Sequence, residues 1–280
     1  MLSYRHEFHA GNHADILKHT VLCLLLRAMC SKDKPFSLLD THSGGGIYSM
    51  RSGFAAKNEE YKTGLSKIIN NRDLQRAVPE YFACLNKLRD QDESLMPGSP
   101  YIEASLARDC DKLTFIDLHP AEYENLKKFF YRDDRVNVQK RNGLEAVSAI
   151  LPPTPRRGLC FIDPPYEEKN EYYETAKAVK KGLQRWATGV FAVWYPVLGR
   201  MSDHSKELTQ ELRRLNFPLL QAELCVEKQS EERGMCGSGM LIVNYPFRLD
   251  KELTELVDIL YKTLCSDEGS AKVRIINPQP

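Results

Sequence analysis

Four adjacent residues, Asp163-Pro164-Pro165-Tyr166, place a carboxylate, two rigid rings and a phenol directly after an apolar run, Gly158-Leu159-Cys160-Phe161-Ile162. That set suits the methylation of a ring-bound amine. The exocyclic amine of adenine is a poor nucleophile because its lone pair is delocalised into the ring. Asp163 can accept one amine hydrogen, and the Pro164 carbonyl, held by stiff Pro-Pro geometry, can accept the other. Two acceptors so placed favour a pyramidal nitrogen with its lone pair aimed at a methyl donor. Tyr166 offers a flat face for the base. Asp163 can also take the proton as the new N–C bond forms. With a sulfonium donor the transfer is an in-line displacement, in which positioning supplies most of the acceleration. The plain alternative is a proline-stiffened loop with no chemistry.

Two further elements could hold the donor. Phe36–Asp40 is a short apolar run that ends in Asp40 and enters a turn, Thr41-His42-Ser43-Gly44-Gly45-Gly46. Glycines let a backbone approach a ligand closely. The dinucleotide fingerprint G-x-G-x-x-G and the phosphate-loop Lys-Ser/Thr are absent, so a nucleoside-like ligand without a pyrophosphate fits better. Asp117 follows a second strand, Lys112–Ile116, where a carboxylate can hold ribose hydroxyls. Its alternative role is a cap for the helix expected from Pro120.

These residues need a frame. Strands at 112–116, 136–139, 158–162 and 189–194 alternate with helices from Pro120, from Asn142 and over 171–186. That alternation predicts a parallel sheet covered on both faces. A first helix runs from Asn12 to near Ser31, with Asn12 as its cap. Helix 203–214 leads to two closing strands, 219–226 and 240–245, expected to pair antiparallel, and a last helix covers 249–264. Residues 54–95 read instead as charged amphipathic helices, hence an inserted helical subdomain (54–95) within a domain formed by 1–53 and 96–280. The 280 residues are 42% apolar and 28% charged. That excludes disordered and fibrous classes. No apolar run spans a bilayer, and the first residues lack a signal-type apolar core. A cytoplasmic protein with reduced thiols among its eight cysteines is the expectation.

The tetrapeptide is that of S-adenosylmethionine-dependent amino-methyltransferases. Beyond it, the chain resembles the bacterial large-subunit (23S) ribosomal RNA adenine-N6 methyltransferase family nearly end to end. The carriers are Tyr4-Arg5-His6, the stretch Phe8 to His19, Leu39-Asp40-Thr41-His42 and Pro97-Gly98-Ser99-Pro100. Leu118-His119-Pro120, Arg156-Arg157-Gly158, Trp194-Tyr195-Pro196 and Gly237-Ser238-Gly239-Met240 continue it. The resemblance implies a Rossmann-like class I methyltransferase: an α/β fold with a seven-stranded, mostly parallel sheet, an antiparallel last strand and a helical insertion after the first strand. It implies that S-adenosylmethionine, leaving as S-adenosylhomocysteine, is held by Lys18, His19, His42, Gly44, Ser99, Asp117, Asn142 and Gly143. It assigns catalysis to Asp163, Pro164 and Tyr166, and substrate contact to Tyr4, Arg5, Pro165 and Tyr166. Asn142 stands where the family has an aspartate, and Asp117 where a glutamate is usual.

Net charge is only +1, so nucleic acid must be met by a local patch. Arg156-Arg157, with Arg5 and Arg51, is the candidate. Lys127-Lys128, Lys180-Lys181 and Arg213-Arg214 read as solvated helix faces. Lys18 reads equally as a solvated helix residue or a site residue. Trp194-Tyr195-Pro196, expected at the end of its strand, walls the base pocket or packs the core. The histidines His6, His9, His13 and His19 lack companion ligands at metal spacing, so no metal is expected. The expected partner is 23S ribosomal RNA, protein-free or in early assembly, met by a monomer without membrane contact. A DNA adenine-N6 methyltransferase, and a non-catalytic DNA-binding protein linked to use of external DNA, remain open.

Overall fold

The computed structural model describes residues 9–51, 58–231 and 234–279. In chain order these form α1 (His13–Cys30), β1 (Ser37–Asp40), β2 (Ile47–Ser49), a 3-10 turn (Glu60–Thr63), α2 (Leu65–Ile68), α3 (Arg72–Ala77), α4 (Pro79–Arg89), β3 (Leu95–Pro97) and α5 (Ser99–Leu106). There follow β4 (Lys112–Ile116), α6 (Pro120–Phe129), β5 (Val136–Gln139), α7 (Gly143–Ile150), β6 (Gly158–Ile162), α8 (Lys169–Arg185) and β7 (Val190–Leu198). The chain closes with α9 (Ser205–Arg213), β8 (Leu219–Cys225), β9 (Met235–Val243), α10 (Leu249–Leu264) and β10 (Ser270–Asn277).

The main sheet has eight strands in the order β10-β8-β9-β7-β6-β1-β4-β5. From β5 to β7 all pairings are parallel, while β9 runs antiparallel to both β7 and β8. The chain order reverses on either side of β1, and that switch point is where ligands bind in open sheets. Successive residues of the central strands serve opposite cores. Leu38, Leu159 and Phe161 pack with α1 and α10, whereas Leu39, Cys160 and Ile162 pack with α7, α8 and α9. Burial on both faces explains why these strands read as continuous apolar runs rather than as alternation.

α1 is buried on nearly every side, including Asp15, Lys18 and His19. Its start follows the expected chemistry: the Asn12 side-chain oxygen Oδ1 accepts from the Ala14 and Asp15 amides at 2.9 and 3.0 Å. Between β2 and β3, which pair antiparallel, lie α2, α3 and α4. Their apolar residues Leu65, Ile68, Leu74, Tyr81 and Leu85 join the cluster built on α1.

Three features differ from the sequence expectation. The sheet carries an eighth strand, β10, antiparallel to β8 at the edge. The short pair β2–β3 was not foreseen. β7 also continues through Pro196 to Leu198, past the expected end at Trp194. Parallel pairing with β6 stops at Val193, and beyond it β7 pairs with β9 alone. Pro196 therefore has an open side on which a missing amide hydrogen costs nothing. Among the described residues no helix is long and apolar enough to cross a membrane.

Candidate active site

The carboxyl ends of β1, β4, β5 and β6 deliver Asp40, Asp117, Asn142 and Asp163 to one side of the sheet. There a cavity of about 230 Å³ opens. Its lining includes Lys18, His19, His42, Gly44, Ser99, Asp117, Asn142, Gly143, Asp163 and Pro165. The structure thus brings together every residue assigned to the donor. Pro164 and Tyr166 lie behind this lining, both buried. Tyr4 and Arg5 fall outside the described residues.

Asp117 does two jobs at once. One carboxylate oxygen accepts from the Gly44 amide at 2.9 Å, and the other from the His119 amide at 2.7 Å. The helix cap itself is His119, whose Nδ1 accepts from Ala121 N–H. Asn142 caps α7, accepting from the Glu145 amide at 3.1 Å. An Asn performs that role as well as an Asp, which gives this departure from the family pattern a local reason. The next residue has to be glycine, because a Cβ on Gly143 would sit 1.9 Å from the Thr41 carbonyl oxygen. The turn after β1 and the start of α7 are therefore pressed together, and Gly44 takes a positive φ of 61° between them.

Asp40 lies under the turn, fully buried. It accepts from Ser99 Oγ at 2.8 Å and from the His42 amide at 3.1 Å. Burial, opposed by these hydrogen bonds, raises its pKa to about 7. Glu103, one helical turn beyond Ser99, is also buried and has no hydrogen-bond partner among the described residues, and burial drives its pKa well above the carboxylate range. His42 is held neutral by burial, which lowers its pKa to about 4.

At the other end of the cavity stands Asp163. Lys18 Nζ lies 2.6 Å from its Oδ2 and 2.8 Å from Asp15 Oδ1. The Lys18 side chain is only 5% exposed and that of Asp163 11%. Lys18 is therefore the countercharge of Asp163 as well as part of the cavity wall, and it is no solvated helix residue. Its ammonium lies 5.6 Å from the centre of the Trp194 ring. Tyr166, at φ 51°, donates its hydroxyl to the Trp194 carbonyl at 2.8 Å. Its ring packs 4.3 Å from Tyr172 and 6.0 Å from Trp194. Tyr166 thus pins the Asp163 loop to β7, and Trp194 and Tyr166 form one aromatic wall.

A sulfonium donor would suit this lining. A sulfonium carries positive charge, and carboxylates of Asp117, Glu122, Asp163 and Glu171 line the cavity. Glycines keep the remaining walls close: a Cβ on Gly98 would lie 2.9 Å from the Tyr48 ring, and one on Gly45 2.6 Å from Glu122. Tyr48, Glu122 and Glu171 carry no signal in the sequence that marks them for the site, and Leu118 enters there only as part of the family resemblance. The Asp15–Lys18 spacing of three on a helix was a usable signal, because it sets both side chains on one face.

The expected basic patch is not built as foreseen. Arg157 sits at the amino end of β6, away from the cavity, and donates to the backbone carbonyls of Lys34 and Met29. Arg51 is exposed and faces Asp92 at 3.6 Å. His9 pairs with Glu60 at 2.9 Å, and His13 is buried with its pKa lowered to about 4. Among the described residues no group of three or more His, Cys, Asp or Glu is arranged to hold a metal ion.

Comparison with known proteins extends these findings. Residues 33–277 match the family described as "Ribosomal RNA large subunit methyltransferase D, RlmJ". The chain is 42% identical over 283 aligned positions to "Ribosomal RNA large subunit methyltransferase J" of Haemophilus influenzae, covering 100% of both chains. It is 40% identical over 282 positions to the Escherichia coli protein of the same name, again covering 100% of both. A crystal structure of a Legionella pneumophila protein superposes with a TM-score of 0.87 at 33% identity, covering 95% of this chain and 98% of that one.

Proposed function

From the premise that the chain belongs to the RlmJ family of ribosomal RNA large subunit methyltransferases, we propose that it methylates the exocyclic N6 of a specific adenine in 23S ribosomal RNA, with S-adenosylmethionine as donor. The observation that carries this reading is Asp163 at the carboxyl end of β6, paired with buried Lys18 and opening on the same cavity as the glycine turn and Asp117.

S-adenosylmethionine, when bound, supplies a methyl group made electrophilic by its positive sulfur. The protein's part is placement and proton handling. Asp117, Gly44 and the Asn142–Gly143 step hold the nucleoside end, and His19, His42 and Ser99 complete that wall. Asp163 accepts one N6 hydrogen and the Pro164 carbonyl the other, which turns the amine lone pair toward the methyl group. The N6 proton passes to the Asp163 carboxylate as the N–C bond forms. Lys18 keeps the Asp163 oxygen oriented toward the cavity. Pro165, Tyr166 and Trp194 wall the base, with Tyr4 and Arg5 as contacts from the amino-terminal arm. We take residues 54–95 as an inserted helical subdomain and the protein as a cytoplasmic monomer acting on protein-free or early-assembly RNA without a metal.

The test uses purified protein, S-adenosylmethionine and unmodified large-subunit ribosomal RNA, with a DNA duplex in parallel. N6-methyladenine in nucleoside digests is read by mass spectrometry. Methylation of the RNA alone is expected; methylation of DNA alone would overturn the substrate. Asp163→Ala should bind S-adenosylhomocysteine like the wild type yet lose transfer by about 10²–10⁴-fold. Wild-type turnover in that variant would sink the assignment.

A further inference from the structure

Away from the cavity, the helix that follows the Asp163 loop builds a groove that the reaction does not use. α8 and α9 pack side by side. Between them a groove of about 680 Å³ is lined by Tyr173, Lys177, Lys180, Lys181, Glu211 and Arg214, with apolar residues at its floor. Four cations therefore face one carboxylate. Glu211 is already engaged by Arg214, and Lys177 lies 3.1 Å from Glu174. Lys180 and Lys181 are exposed and, among the described residues, have no ion-pair partner. The excess of positive charge is smaller, and more interrupted by carboxylates, in the groove between α9 and β8–β10. There Arg200, Lys206, Arg213, Lys228, Lys272 and Arg274 share the surface with Asp203, Glu223, Glu227 and Glu268.

The groove also has a direction. Its upper end is Tyr173, 58% exposed, with the Lys177 ammonium 5.7 Å from its ring centre. The neighbouring Tyr172 packs on Tyr166 of the Asp163 loop at 4.3 Å. From Tyr173 the stripe runs down α8 to Lys177, Lys180 and Lys181, about 12 Å along the helix axis at 1.5 Å per residue. An exposed aromatic beside a cation, followed by unpaired cations along a groove, is the arrangement that receives a base and then its backbone phosphates.

We propose that the α8–α9 groove is the track on which the phosphate backbone of the substrate RNA docks beside the target nucleotide, with Tyr173 stacking an adjacent base. The proposal rests on the RNA-methyltransferase reading above. It also resolves a charge problem. Net charge is +1, and the arginine pair at 156–157 faces away from the cavity, so the local attraction for a polyanion has to come from elsewhere.

The test compares wild type, the double variant Lys180→Glu/Lys181→Glu and a control, Lys127→Glu/Lys128→Glu on α6, which makes the same charge change elsewhere. Methyl transfer to unmodified ribosomal RNA and anisotropy of a labelled RNA fragment are followed over a salt series, with S-adenosylhomocysteine binding by calorimetry. In the groove variant KM for RNA should rise about tenfold or more. The slope of log affinity against log salt should fall by about 1.4, two single-strand phosphate contacts. Turnover at saturating RNA and S-adenosylhomocysteine affinity should stay at wild-type values, and the control should change little. Unchanged RNA affinity and slope in the groove variant would overturn the proposal. An equal loss in the control would overturn it too, because net charge and not the groove would then be responsible. Absence of methyl transfer by the wild type itself would strike the functional reading instead, and the anisotropy series would still decide the groove.

Discussion

Lys18 and Asp163 are separated by 145 residues yet lie 2.6 Å apart, and Asp15 joins the same ammonium from one helical turn away. Burying three charged groups is costly, and breaking such a set by removing one partner leaves an uncompensated charge. Lys18→Met should therefore destabilise the fold by roughly 3–5 kcal/mol, read by urea unfolding, while abolishing methyl transfer. Adding Asp163→Asn should recover part of that stability without recovering activity. A double variant no more stable than Lys18→Met would show that the pair does not share its charge as drawn. His13 gives a second residue-scale prediction. Burial lowers its pKa from 6.5 to about 4, so between those values the unfolded chain binds a proton that the folded one refuses. Stability from this group is full above pH 6.5 and drains away as pH falls toward 4, by about 3 kcal/mol. Asp40 works with the opposite sign: its pKa is raised from 3.8 to about 7, so its contribution is full below pH 3.8 and drains away as pH rises toward 7. The contribution of His13 is isolated by comparing wild type with His13→Gln at pH 7 and pH 4. Equal pH slopes in the two proteins would refute it. Residues of this kind mark where sequence reading ends. Asp163 was legible because its neighbours are unusual, whereas the Lys18–Asp163 pair exists only once the chain has folded α1 against β6.

At the scale of elements, the site depends on how closely the turn after β1 meets the start of α7. Gly143→Ala would drive a Cβ to 1.9 Å from the Thr41 carbonyl, a contact that backbone shifts must relieve at a cost of about 3 kcal/mol. The expected result is a lower melting temperature together with weaker S-adenosylhomocysteine binding, since Thr41–Gly44 carries the cavity wall. Unchanged ligand affinity would mean that the turn can retreat without consequence. The central strands and helices could be placed from the sequence because their apolar runs are bounded by Asp40, Asp117, Asn142 and Asp163, residues that end strands and start helices. β2 and β3 escaped that logic, being three residues each and held by pairing with each other across residues 50–94 rather than by composition. The arginine pair at 156–157 misled for a related reason. Adjacency in sequence to β6 is not adjacency to the site, because the pair lies at the strand's amino end and Asp163 at its carboxyl end.

For the whole molecule, the sheet separates into a ligand-bearing half and a supporting half. The residues that line the cavity come from β1, β4, β5, β6 and the elements beside them, while β7, β9, β8 and β10 extend the sheet away from it. β10 stands at the far edge, and its sequence, Ser270–Asn277, is mostly exposed with scattered charge, which is why no apolar pattern announced it. Its role is legible in its pairing: Lys272 meets Glu223, Arg274 Nη2 donates to Gln221 at 2.9 Å, and the backbone covers β8 along its length. Without it β8 would be an exposed edge whose side chains are largely buried and apolar, an open template for another chain. Ending the chain after Asp267 should therefore lower the melting temperature and promote association at high concentration, seen by light scattering. S-adenosylhomocysteine affinity, measured at low concentration, should remain near that of the full chain, because three strands lie between β10 and β6. A monomeric truncated protein that no longer binds this ligand would show that the far edge holds the cavity in shape, and the division of the sheet into two working halves would fail.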